Sequence, residues 1–271
     1  MYESHWNLAR KPFRNDLDLS FAYMWEGYEE ALARMQYWAA DGKRLALVTG
    51  PAGVGKSYLL ALLARDIRRR GDIVATVPNP DLTPSEFLQY ALALYGHDEP
   101  GTSKAESLAK LTEFAAENAA QNTRTYLLVD EAQAVTNPHT LEEINLILNL
   151  AEGPRALFSV VLAGEPALRN VMAGCVGLRQ KVEIGAELAA LSREETAGYL
   201  AHRLERAGAA EAIFEPRAVE ALFRWAKGIP RLVNTAADLA LLSAYGEGKK
   251  RVDVAAVEAG LEEVESQTSS A

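Results

Sequence analysis

Residues 50–57 read Gly50-Pro-Ala-Gly-Val-Gly-Lys-Ser57. The apolar run Leu45-Ala-Leu-Val48 ahead of them has strand character, and the stretch that follows carries the apolar period of a helix. Between a strand and a helix, this spacing predicts a phosphate-binding loop. Gly50, Gly53 and Gly55 let the backbone turn its N–H groups inward around a polyphosphate, and Pro51, Ala52 and Val54 complete the cradle. Lys56 is placed to reach the β- and γ-phosphates. The Ser57 hydroxyl is placed to ligand Mg²⁺ at the positive end of the following helix, where Tyr58 is the next residue to border the nucleotide.

A second stretch, Thr125-Tyr-Leu-Leu-Val-Asp130-Glu131, is a β-prone apolar run that ends in two adjacent carboxylates. A strand of this kind, downstream of a phosphate loop, reads as a Walker-B strand. Asp130 would hold the Mg²⁺ shell, and Glu131 would orient and deprotonate the attacking water. A protein that only binds nucleotide needs no water-activating carboxylate, so the pair implies a Mg-dependent ATPase with ATP as its nucleotide.

At 271 residues the chain can bury one substantial core and a smaller second domain. No apolar run approaches the roughly 18 residues of a membrane helix, and no basic segment followed by an apolar one opens the chain. The expectation is a cytoplasmic protein without direct membrane insertion. Cys175 is the single cysteine, and His5, His97, His139 and His202 lack ligand spacing, so no metal is expected apart from nucleotide-bound Mg²⁺. A net charge of −9 disfavours broad attraction to nucleic acid. Two basic clusters, Arg65 with Arg68-Arg69-Arg70 and Lys249-Lys250-Arg251, read either as charge complementing helix C-termini or as a narrow basic face.

Strand candidates 45–49, 73–77, 126–129, 158–163 and 182–184 alternate with helices up to about residue 190, which argues for an α/β fold with a largely parallel sheet. Thr83-Pro-Ser-Glu86, Thr140-Leu-Glu-Glu143 and Ser192-Arg-Glu-Glu195 each match a capping box. The part after Leu191 is wholly helical: one helix ending at Gly208, a second from about Pro216 to Lys227 stopped by Gly228, and a third beginning near Pro230. Two domains are therefore expected, residues 1–190 binding nucleotide and residues 191–271 forming a small helical lid.

These motifs together resemble the AAA+ ATPases, a P-loop NTPase fold of parallel sheet and covering helices with a C-terminal helical lid. More narrowly, the chain resembles the ExeA or general secretion pathway protein A family, to which ATPases of transposition systems are related. The resemblance runs from Met1-Tyr2 and Lys11-Pro12-Phe13 through Glu30-Ala31-Leu32, the phosphate loop and Val129-Asp-Glu-Ala-Gln133. It continues through Leu162-Ala-Gly-Glu-Pro-Ala-Leu168, Leu178-Arg-Gln180, Leu191-Ser-Arg-Glu-Glu-Thr196 and Gly228-Ile-Pro-Arg231. It implies that Gln133 couples nucleotide state to the neighbouring loop, and that the strand at 158–163 lies between the two Walker strands. The family's sensor, usually Gln before Pro, is Glu165 here, and a carboxylate there would repel phosphate.

The resemblance further implies that Arg231 is a sensor 2, reaching from the lid to the phosphates. Family members commonly show Leu-Arg-Gln-Arg where this chain has Leu178-Arg-Gln-Lys181, so Arg179 or Lys181 supplies the trans-acting cation of a homo-oligomer, ring or helical filament. Phe21 to Met24 would border the adenine, with Tyr23 either stacking on the base or packing in the core, and Gly27 and Tyr28 nearby. The leading functional expectation is an ATP-hydrolysing, oligomeric switch that serves assembly or regulation of a larger complex through a protein partner. One alternative is an ATP-dependent duplex-DNA-binding regulator of transposition or recombination. Another is a slow, nucleotide-timed protein-binding module, favoured by Glu165 and Lys181.

Overall fold

The apolar run ahead of the glycine-rich loop forms the strand β1 (Leu45–Thr49), in which Leu45, Ala46 and Val48 are fully buried. A computed structural model describes residues 1–99 and 101–268 of the chain. Around β1, in chain order, come α1 (Glu26–Asp41), α2 (Lys56–Arg69), β2 (Ile73–Val77), α3 (Pro84–Leu94), α4 (Lys104–Ala120), β3 (Thr125–Val129) and α5 (Pro138–Ile147). They are followed by β4 (Ala151–Glu152), β5 (Arg155–Ala156), β6 (Phe158–Gly164), α6 (Leu168–Ala173), α7 (Val176–Arg179) and β7 (Val182–Glu187). The helical remainder comprises α8 (Arg193–Arg206), α9 (Pro216–Ala226), α10 (Pro230–Gly246) and α11 (Val254–Thr268).

Five strands form a parallel sheet in the order β2-β3-β6-β1-β7. Every residue of β3 and β6 is buried, as expected of central parallel strands covered on both faces. Register pairs Thr49 with Gly164 and Val129 with Leu162, so the C-terminal ends of β1, β6 and β3 stand side by side. That alignment brings the phosphate loop and the Asp130-Glu131 pair to one edge of the sheet, with β6 between them as the resemblance implied. Phe87, Leu88, Leu127, Phe158 and Leu162 anchor the surrounding core. Truncating Phe158 to Ala would cost about 3–5 kcal/mol.

Two of the expected capping boxes form. Thr83 caps α3 reciprocally with Glu86, and Ser192 caps α8 reciprocally with Glu195. The third does not, because α5 starts earlier, with Asn137 accepting from the His139 N–H and Pro138 occupying the first turn. Thr140 instead donates to the Leu82 carbonyl at 2.7 Å, and the buried Glu143 pairs with Lys104. Helix α9 closes on Lys227 itself, in the left-handed region at φ 50°, one residue before the expected Gly228. A fourth C-terminal helix, α11, follows the three expected ones, and Asp253 accepts the Ala256 N–H at its start. The two-residue strands of the β4-β5 hairpin are too short to leave a periodic signal.

By contacts the chain divides into two compact units. One comprises Glu26–Pro51 and Lys56–Leu188 and contains the sheet; the other comprises Met1–Trp25, Ala52–Gly55 and the chain from Ala189 onward. The helical unit thus takes in the N-terminal segment as well as residues beyond a single cut at 190/191. Its buried Arg203 explains why: the guanidinium donates to the carbonyls of Pro12 and Arg14 and lies 4.7 Å from the centroid of the Phe21 ring. Trp6 Nε1 donates to the Leu241 carbonyl, and the Tyr2 hydroxyl donates to Asp238.

Candidate functional site

Between β1 and α2 the backbone takes conformations that suit glycine, with φ 76° at Gly53 and 111° at Gly55. Lys56 is 4% exposed, and its ammonium donates to the carbonyls of Gly50 and Pro51 at 3.0 Å each. The lysine is thereby held across the loop whose N–H groups would face a phosphate. Ser57 lies in the first turn of α2, where the macrodipole favours an anion, and Tyr58 follows it, half-buried. Among the described residues no group of three or more His, Cys, Asp or Glu side chains could hold a metal on its own. A divalent ion there would share its oxygen ligands with a nucleotide, as Mg²⁺ does.

Asp130 closes the site from β3. Its side chain is 7% exposed and hydrogen-bonds Ser57, joining the two residues expected to ligand Mg²⁺. Burial pushes the carboxyl up, while the bonds from Ser57 and from the Glu131 N–H pull against it. A buried carboxylate in this state gains from a cation beside it, so the donor set fits Mg²⁺.

Glu131 has φ 49° and ψ 36°, a left-handed conformation unusual for a residue with a side chain. Gln133 Nε2 donates to Glu131 Oε2, and Gln133 Oε1 accepts the Glu165 N–H at 2.9 Å. The circuit closes through β6, whose terminal Gly164 carbonyl accepts the Gly50 N–H at 3.2 Å. Hydrogen bonds and short backbone links therefore run from Gly50 through Gly164, Glu165, Gln133, Glu131 and Asp130 to Ser57. Gly164 permits this, because a Cβ there would stand 2.5 Å from Gln133 Oε1. A glycine at the end of an otherwise apolar strand marks a place of close approach but does not name the partner. Glu165 engages the circuit through its backbone.

Arg231 stands in the first turn of α10, exposed, and its N–H donates to the Gly53 carbonyl at 3.2 Å. Helix α10 has no side-chain cap, so this phosphate-loop carbonyl takes one of its open donors. Tyr23 packs in an aromatic cluster: near-parallel to Trp25, edge-on to Tyr199 and 5.4 Å from the His202 ring. That packing accounts for Tyr23 without a nucleotide base. Gly27 is exposed and Tyr28 is buried.

Arg179, at the end of α7, is exposed and makes no ion pair or hydrogen bond through its side chain with the described residues. Lys181 is half-buried, donates to Asn145 Oδ1, and has its ammonium pushed down by burial and then by Arg44. The two candidates for a trans-acting cation thus differ in freedom. Arg169, on α6, bonds Glu187 at 2.8 Å and approaches the Thr49 hydroxyl at 3.4 Å, next to the phosphate loop.

Comparison with known proteins agrees with this geometry. A family model described as an AAA domain matches residues 39–172, spanning the phosphate loop, β3 and β6. The chain belongs to the AAA+ proteins. It is 32% identical over 258 residues to general secretion pathway protein A of Aeromonas hydrophila, covering 93% of this chain and 46% of that relative. The chain therefore spans about half the length of that relative. Among solved structures, the Aeropyrum pernix ORC1 protein in complex with DNA aligns at a TM-score of 0.68, with 18% identity over 90% of this chain and 67% of its own. The Aeropyrum pernix ORC2 protein in its ADPNP-ADP complexes aligns at 0.66, with 16% identity over 91% and 71%. At such identities the structural matches speak for the AAA+ fold alone. No described helix of this AAA+ chain is long and apolar enough to cross a membrane.

Proposed function

We propose that the protein is a Mg-dependent ATPase that works as a nucleotide-controlled switch in a homo-oligomer, serving the assembly or regulation of a larger complex. The observation that carries this reading is the hydrogen-bonded circuit joining Ser57, Asp130, Glu131, Gln133, Glu165 and Gly50. It leaves Glu131 Oε1 available to accept a proton from water while Oε2 is held by Gln133. Ser57 and Asp130 would hold Mg²⁺, which supplies charge neutralisation on the phosphates when bound. Lys56 and the loop N–H groups would bind the β- and γ-phosphates.

Residues 1–190 would serve as the nucleotide-binding domain and residues 191–271 as the lid, with Arg231 reaching the phosphates and answering their loss. Arg179 is the better candidate for the cation given to a neighbouring subunit. It is uncommitted, and Val176 on the same short helix is 52% exposed, which suits an interface. The expected site is a cytoplasmic one facing a protein partner.

A second reading, an ATP-dependent duplex-DNA regulator, is favoured by Arg68, Arg69 and Arg70, all exposed at the end of α2, and by the fold shared with a DNA-bound ORC1. The deciding experiment measures phosphate release by wild type and Glu131→Gln across protein concentration, with and without duplex DNA. Turnover that rises with protein concentration and vanishes in Glu131→Gln supports the switch. Equal rates in both proteins would overturn the general-base assignment, and stimulation by DNA alone would favour the second reading.

A further inference from the structure

At the end of the sheet away from the phosphate loop, a cleft of about 260 Å³ opens at the N-terminal ends of β3 and β6. Its lining includes Arg124, Arg155, Thr123, Thr125 and Ser159, with Asp41 at the rim. We infer that this cleft is a second anion site, built to bind a phosphate-type oxyanion and separate from the nucleotide site.

Both arginines are fixed from behind. Arg124 Nη1 donates to the carbonyls of Ala39 and Ala40 at the end of α1, at 2.9 and 2.8 Å, and Arg155 Nη1 donates to the Ala119 carbonyl at the end of α4 at 2.8 Å. Gly42, at φ 67°, lets the Arg124 guanidinium lie against the turn, since a Cβ there would stand 3.1 Å from Nη1. Closing a helix C-terminus uses one nitrogen of a group with five N–H donors. Arg124 also hydrogen-bonds the Tyr126 side chain, while the Nε and Nη2 donors of Arg155 bond no acceptor among the described residues.

The hydroxyls match that surplus of donors. Thr125, 2% exposed, accepts from Asn118, and its own proton meets no acceptor among the described residues. Ser159 is 8% exposed, and its hydroxyl has no partner among them. The one carboxylate of the lining, Asp41, is already paired with Lys43 at 3.1 Å. Two preoriented guanidinium forks with hydroxyl donors beside them are the chemistry of a phosphate group. That phosphate could be free or part of a nucleic-acid backbone.

The test keeps the full chain with ADP and Mg²⁺ saturating the nucleotide site, and holds ionic strength constant with chloride. Inorganic phosphate is titrated by thermal shift and a short labelled duplex DNA by anisotropy. The proteins compared are wild type, the double variant Arg124→Gln/Arg155→Gln, which keeps an amide donor for each helix end, and Ser159→Ala, which leaves both arginines in place. Phosphate should raise the wild-type melting temperature. The double variant should lose at least tenfold in apparent affinity and Ser159→Ala several-fold. A loss confined to phosphate identifies a free anion as the ligand, and a loss confined to DNA identifies the polymer backbone. Wild-type affinity for both probes in the double variant and in Ser159→Ala, or no response of wild type to either probe, overturns the site.

Discussion

Lys56 and Asp130 are 4% and 7% exposed and tied into their own chain, whereas Arg179 is exposed with its side chain unbonded to any described residue. The first pair is preorganised by the fold, and the lone arginine is organised by nothing in this chain. The difference separates what a single copy can do from what requires a neighbour. On the proposed reading, binding of phosphate would belong to the single copy, because its donors are already held in place. On the proposed reading, full turnover would depend on whatever orders Arg179.

The largest test of that division is Lys56→Ala. It should abolish nucleotide binding or turnover at any protein concentration, as measured with a fluorescent ATP analogue and by phosphate release. Retained binding within about tenfold would place the phosphates elsewhere. Glu131→Gln comes next: binding should persist while hydrolysis falls by about 10²–10⁴-fold.

Arg179→Ala probes the other side of the comparison. Turnover at high protein concentration should fall by roughly tenfold or more, within the large range such a cation can supply, while ATP affinity in dilute solution stays unchanged. Lys181→Ala should instead cost about 1 kcal/mol of stability through loss of its bond to Asn145, with little change in rate. If the effects are exchanged, Lys181 is the cation that crosses to the neighbour. A smaller, several-fold loss of turnover is expected of Gly164→Ala. Its Cβ would displace the Gln133 amide while leaving the phosphate loop's own residues intact. Equal turnover in this variant would show that the Gln133 bridge does not support Glu131.

Much of this division was legible in the sequence, and the reasons differ by residue. The phosphate loop and the Asp130-Glu131 pair are local: each needs a fixed spacing beside a strand, so the string carries the geometry. The placement of β6 between β1 and β3 came from family resemblance, since a parallel sheet's strand order leaves no trace in periodicity. The Thr140 capping box failed because Asn137 and Pro138 offered an earlier start and Glu143 had a buried partner in Lys104. Pairings such as Gly164 with Gln133, or Arg124 with the end of α1, join residues distant in sequence and become readable only in three dimensions. Nothing in the string distinguished Arg179 from Lys181. The distinction rests on Asn145, a residue on another helix.

The smallest expected effect concerns the helical unit. His202 lies beside Tyr23, its Nε2 buried without a partner in the described structure, and its pKa is held down first by burial and then by Arg206. In the unfolded chain the imidazole would titrate near its ordinary value of about 6.5. The native state therefore binds fewer protons than the unfolded state between that value and its own lower one. Stability is complete above about pH 6.5 and is lost as pH falls through that window, because ∂ΔG/∂pH is positive wherever the unfolded chain holds more protons. His202→Gln cannot titrate and should flatten that part of a melting-temperature profile between pH 5 and 7, leaving the nucleotide affinity at pH 7.5 unchanged. An unaltered slope would mean that the acid sensitivity of the fold lies elsewhere, and a changed affinity would mean that the Tyr23 cluster reaches the nucleotide after all.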